Sequence, residues 1–155
     1  TFTDYNGVKT RDFSSIEEMN DTIIKNWNNV VHQNDIVYVL GDLCINKKFL
    51  PLLNELSGSK RLILGNHDPF FGEYPKYFKK VYGMRITGRE WIMTHIPIHS
   101  DCVDRFKINI HGHIHTNTIN DPRYVNVCVD FKGDQYHPST NYTPQPLDEI
   151  LERCK

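Results

Sequence analysis

Two short apolar runs constrain the fold more than anything else in the chain. Residues 36–40 read IVYVL and residues 60–64 read KRLIL, and each run stops at a glycine, Gly41 or Gly65. Short β-branched and leucine-rich runs bounded by turn residues read as buried strands, which are covered on both faces in layered α/β proteins. Residues 14–33, SSIEEMNDTIIKNWNNVVHQ, have another period. Ile16, Met19, Ile23, Trp27 and Val30 recur every three or four positions, and Ser14 with Glu17 forms a capping-box pattern ahead of them. That combination predicts a helix with one apolar face and Trp27 in the core. A short helix limited by Pro51 is expected over KKFLPLLNEL (47–56). MRITGREWIMTH (84–95) reads as two strands joined at Gly88-Arg89, and RFKINI (105–110) and YVNVCVD (124–130) as one strand each. PLDEILERCK (146–155) reads as a closing helix. Without a repeat or a linker, the expectation is one α/β domain over residues 1–155.

Composition narrows the function. Eighteen basic and 19 acidic residues leave a net charge of -1. No bulk positive field is available to hold a polyanion, so strong general nucleic-acid binding is not expected. Cys44, Cys102, Cys128 and Cys154 form no C-x-x-C pair, so neither a zinc ribbon nor a redox motif is indicated, and free thiols are expected. No apolar run approaches the roughly 18 residues of a membrane-spanning helix, and no leader pattern opens the chain. A cytoplasmic protein without a membrane partner is the resulting expectation.

The polar residues carry the chemistry. Four expected strands each end in side chains able to bind a metal: Asp42 after the first, Asn66, His67 and Asp68 after the second, His95 after the next, and His113 and His115 within HGHIH (111–115). Each cluster alone is ordinary. A Gly-Asp pair is a common turn, a lone histidine is more often structural, and eight histidines can cluster by chance. Jointly and in this order they are not ordinary, because α/β folds gather ligands beyond the carboxyl ends of their strands. Imidazole, carboxylate and amide oxygen together suit manganese, iron or zinc. Residues 69–83, PFFGEYPKYFKKVYG, offer aromatic and basic side chains that can stack a base, although core-facing aromatics under a solvated loop explain them more simply.

This arrangement resembles the calcineurin-like metallophosphoesterase superfamily, whose pattern runs D-x-H, G-D, G-N-H-D/E, H, G-H-x-H. Four of the five blocks are present, as Gly41-Asp42, Gly65-Asn66-His67-Asp68, His95 and Gly112-His113-Ile114-His115. The opening helix FSSIEEMNDTIIKNWN and the closing NVCVD and PLDEIL are similar to a small bacterial and phage subgroup. The resemblance implies a four-layer β-sandwich flanked by helices and hydrolysis of phosphate mono- or diesters by metal-bound hydroxide. It further implies that Asp42 bridges two divalent ions, with Asn66, His95 and His113 completing one site and His115 serving the other. His67 would face the phosphate as stabiliser or proton donor, and Asp68 would orient His67. His99 and His111 match no ligand position.

The departure is the D-x-H block, which no residue pair before Asp42 supplies. Asp4 and Asn6 in FTDYN are the nearest candidates. The chain opens on Thr1, and the expectation is that it begins just after that block and lacks the first strand. Divergence to Asp4, or loss of one metal, are the other readings. On the first, the complete protein binds two ions and this chain one, with weak turnover here. A small nucleotide-like or diester substrate is expected. The competing functions are a catalytically impaired phosphoester- or partner-binding module and a nuclease of the same superfamily. The residues leave substrate, metal identity and oligomeric state open.

Overall fold

A computed structural model describes residues 11–88 and 90–154 of the chain. It is a mixed α/β structure with two sheets. The first sheet holds β1 (Ile36–Val39), β2 (Ser59–Ile63) and β3 (Lys80–Tyr82), all parallel. The second holds β4 (Arg85–Thr87), β5 (Trp91–Thr94), β6 (Ile108–His111) and β7 (Tyr124–Asn126). There β4 runs antiparallel to β5, while β5, β6 and β7 are parallel. Three helices accompany them: α1 (Ile16–Val30), α2 (Ser100–Val103) and α3 (Leu147–Arg153).

Period-two alternation divides the side chains of the first sheet between two cores. Ile63, Tyr38 and Tyr82 join Met93, Ile108, Ile110 and Val125 of the second sheet, and Ile150 and Leu147 of α3 close that cluster. Leu62 and Val39 point the other way, onto Leu50, Tyr74 and Phe78. Both expected strands form, but only β2 is buried, at Leu62 and Ile63, while β1 is half-buried and opens on Ile36 at 53% exposure. Of the aromatics in residues 69–83, Tyr74 and Phe78 are core, at 1% and 4% exposed, and Phe71 is at the surface, at 63%.

Several expectations shift in detail. The α1 cap is Ser15, whose Oγ accepts from Glu18 N at 3.0 Å, not Ser14 with Glu17. The paired serines and glutamates allow either register, and Glu18 selects this one by reaching back to Ser14 N at 2.7 Å. Val31 is buried where Val30 was expected, and Ile16 is exposed, so the inward stripe runs through half-buried Met19 and Ile23 to buried Trp27 and Val31. Trp27 is in the core, and its Nε1 donates to Ser57 O at 2.9 Å. Residues Lys47–Glu55 form a 3-10 helix. Pro51 has no N–H for the carbonyl four residues back, which removes an α-type bond from the middle of so short a segment. β7 ends at Asn126, where the side-chain oxygen takes Cys128 N at 2.9 Å in place of a neighbouring strand. No helix among the described residues is long and apolar enough to cross a membrane. All four cysteines are free thiols.

Candidate metal centre

The parallel strands bring their carboxyl ends to one place. Asp42 follows β1, Asn66 follows β2, His95 follows β5 and His113 follows β6. Around His95 Nε2 lie Asn66 Oδ1 at 3.0 Å, His113 Nδ1 at 3.2 Å and Asp42 Oδ2 at 3.2 Å. Ligand atoms of Asp42, His95 and His113 lie within 4.8 Å of one another. Two sheets contribute two residues each, and His95 Nδ1 crosses between the sheets to Leu40 O at 2.6 Å.

That last bond fixes one side of the ring. A carbonyl only accepts, so Nδ1 of His95 carries a proton, and Nε2 is the nitrogen turned toward the cluster. There it faces a carboxylate oxygen, an amide oxygen and a second imidazole nitrogen. His95 is 5% exposed. Asp42, His95 and His113 could hold a divalent cation, and the mixed N/O donor set suits manganese, iron or zinc. Burial, and then neighbouring His95, hold the His113 imidazole below its ordinary range, which keeps it neutral and able to donate a lone pair.

The backbone is strained where these side chains are presented. Asp42, His113 and His115 have φ of 53°, 69° and 54°. Left-handed non-glycine residues cost about 1–3 kcal/mol each and collect at functional sites. The loops after β1 and β2 also touch closely. A Cβ on Gly41 would stand 2.4 Å from Gly65 N, and one on Gly65 would stand 2.2 Å from Asp42 Oδ1. Glycine is required at both positions because backbone meets backbone there.

His67 is exposed, and its N–H donates to Asp42 Oδ1 at 2.8 Å. The expected orienting bond from Asp68 to His67 is corrected. Asp68 is 3% exposed and turns inward. Its Oδ2 accepts from the N–H groups of Asp42 and Gly65, both at 2.8 Å, and its Oδ1 accepts from Leu43 N at 3.0 Å and from the Tyr74 hydroxyl at 3.4 Å. Asp68 thus holds the two ligand-bearing loops together.

His115 stands apart from the Asp42, His95 and His113 group. Its Nδ1 lies 3.0 Å from Asp130 Oδ2, which also accepts from Arg11 Nε at 3.0 Å. The bond to Asp130 raises the imidazole pKa. Burial alone would raise the Asp130 carboxyl, but the partnerships with His115 and Arg11 outweigh it and leave a pKa of about 2. Sequence reading missed Asp130 and Arg11. The available signal was an aspartate closing an apolar run, as in the Gly41-Asp42 block. Asn126 supports the same loop, donating through Nδ2 to His115 O at 2.8 Å and Asn117 O at 3.1 Å. His111 is 1% exposed, with Nδ1 2.9 Å from Gly112 O, and belongs to the core. Asp4 and Asn6 lie outside the described residues.

No known family's profile matches the sequence. Individual relatives do. The gene 66 protein of Mycobacterium phage L5 is 29% identical over 140 residues, covering 67% of this chain and 68% of that protein. A protein of unknown function from Aquifex aeolicus superposes with a TM-score of 0.66 at 23% identity, over 89% of this chain and 86% of that one, which shows a shared fold. The uncharacterized protein MJ1445 of Methanocaldococcus jannaschii is 38% identical over 149 residues, covering 92% of this chain and 78% of that protein. At that identity and coverage, the chain belongs to the family of MJ1445.

Proposed function

We propose that the chain is a calcineurin-like metallophosphoesterase domain that hydrolyses small phosphate esters, with its two sheets forming the sandwich of that superfamily. One observation carries the reading: the side-chain oxygens of Asp42 and Asn66 and the ring nitrogens of His95 and His113, each at the end of a different strand, converge on one point. When bound there, a divalent cation supplies Lewis acidity and lowers the pKa of water.

The protein's own residues do the rest. Asp42, Asn66, His95 and His113 would hold the ion. Leu40 O fixes the His95 tautomer, as a carbonyl behind a ligating imidazole does. The exposed ring of His67, on a loop tied to the Asp42 carboxylate, would meet the phosphoryl group, as stabiliser or as proton donor to the leaving oxygen. In a two-ion arrangement His115 would serve the second position, with Asp130 behind its Nδ1.

Equilibrium dialysis of the metal-stripped protein against manganese or zinc tests the reading, together with hydrolysis of bis(p-nitrophenyl) phosphate by the protein from its complete gene. At least one tightly held ion per chain is expected, and His113→Ala should lose both that ion and turnover. Turnover untouched by His113→Ala, or no tight divalent ion in the parent protein, refutes the assignment.

A further inference from the structure

A cleft of about 400 Å³ opens beside the cation-binding cluster. Asn66 and His95 line it and also belong to the cluster, so cleft and cluster share a wall. The rest of the cleft is mostly apolar. Leu64 comes from the end of β2, Met84 from the link between β3 and β4, and Ile96 and Ile98 from the segment after β5. Met84 is 58% and Ile96 50% exposed, so two large apolar side chains stand at the edge of a polar site. Among the described residues no lysine, arginine, aspartate or glutamate lines the cleft.

The apolar wall is built into the fold. Asn109, which is 0% exposed, accepts from Ile98 N at 3.0 Å and donates to Thr94 Oγ1 at 3.0 Å. The Thr94 hydroxyl donates in turn to Ile96 O at 2.6 Å. A buried polar chain therefore fixes the segment that turns Ile96 outward, and the Thr94 hydroxyl is engaged within the protein.

A phosphoester held at the cluster must extend its organic group away from the phosphorus. Along this cleft the group meets apolar carbon and no cation to neutralise a second phosphate. The volume falls in the roughly 300–1,000 Å³ range of small-ligand sites. Resting on the function proposed above, we infer that the cleft formed by Leu64, Met84, Ile96 and Ile98 is the subsite for an uncharged, ring-bearing ester group. The substrate class is then a small aryl- or base-bearing phosphoester. Polyphosphates and nucleic-acid backbones, which carry further charge past the reacting phosphorus, do not suit it.

Calorimetric titration of the manganese-loaded protein with phenylphosphonate and methylphosphonate tests this. Phenylphosphonate should bind about ten-fold tighter or more, the factor that burial of an apolar group supplies. Met84→Ser and Ile96→Ser, both at exposed positions, should erase the difference while leaving methylphosphonate affinity, bound manganese and Tm unchanged. Equal affinities in the parent protein, or a preference that survives both substitutions, overturn the subsite and leave the metallophosphoesterase reading intact. Failure of both phosphonates to bind manganese-loaded protein overturns the reading of the cluster as a phosphoryl site, and the subsite with it. Self-association abolished by Met84→Ser would make the cleft a contact between copies and would also overturn the inference.

Discussion

Replacing Asp68 with asparagine separates two roles for that residue, since it changes one oxygen to an amide and almost no volume. The carboxylate is 3% exposed and accepts four bonds: Asp42 N and Gly65 N on Oδ2, Leu43 N and the Tyr74 hydroxyl on Oδ1. An amide has a single accepting oxygen. Its better orientation keeps that oxygen on Asp42 N and Gly65 N and turns NH2 toward Leu43 N, where two donors then face each other. The Tyr74 hydroxyl can rotate to accept. One bond to a charged acceptor is lost, at about 1.5–3 kcal/mol, and two others weaken to neutral strength, at about 1 kcal/mol each. Removing a buried charge returns part of this. The net expectation is a loss of about 3 kcal/mol, a large share of the roughly 5–15 kcal/mol that holds such a domain folded. Urea unfolding of metal-stripped protein at neutral pH reads the effect as a lower midpoint at unchanged slope. Tyr74→Phe, which removes the 3.4 Å contact to Asp68 and the 3.3 Å bond from Phe70 N, should cost about 1–2 kcal/mol, less than Asp68→Asn. A loss below about 1 kcal/mol for Asp68→Asn would show that this carboxylate does not clamp the loops, and would return it to the role of orienting His67.

Three further outcomes follow from particular distances and charges. Gly65→Ala puts a methyl group 2.2 Å from Asp42 Oδ1 and 2.5 Å from Asp42 N, so the loop must move. Manganese affinity by equilibrium dialysis should fall roughly 10–100-fold, as when the support of a ligand is disturbed, and unchanged affinity would contradict the packing. Asp130→Asn removes a carboxyl with a pKa of about 2 in the fold against an ordinary 3.8. A depressed carboxyl stabilises above the unfolded value and loses that contribution as pH falls through the folded one. The variant should therefore be about 2 kcal/mol less stable at pH 7, and the gap should close between about pH 4 and pH 2 in denaturation series. His111 is held neutral by burial, at about 4 against 6.5. The unfolded chain takes up a proton that the native ring refuses, so stability should drop by about 3 kcal/mol as pH falls from 6.5 to 4. His111→Asn should remove that part of the slope, and identical slopes in parent and variant would refute the assignment.

What the sequence made legible was local. Each ligand that converges on the cluster follows a strand with a readable apolar pattern, so Asp42, Asn66, His95 and His113 could be found in order without coordinates. β3 was hidden because Lys80, Val81 and Tyr82 form an edge strand, and edges carry charge instead of an apolar run. The Lys47–Glu55 segment is too short for its periodicity to separate a 3-10 helix from an α-helix. Asp130 and Arg11 are 119 positions apart, and nothing local marks them as partners. Asp68 misled for the opposite reason. It adjoins His67 in sequence, yet the turn sends His67 to the surface and Asp68 inward to the N–H groups of the neighbouring loop. Nor does composition reveal left-handed backbone at Asp42, His113 and His115, because aspartate and histidine enter that region more often than most residues but only glycine does so routinely. Left-handed backbone is not confined to the cluster, since Asn141 and Tyr142 have φ of 46° and 56°. What sets the cluster apart is bracing: the buried carboxylates of Asp68 and Asp130, 3% and 2% exposed, hold the loop after β1 and the His115 ring in place.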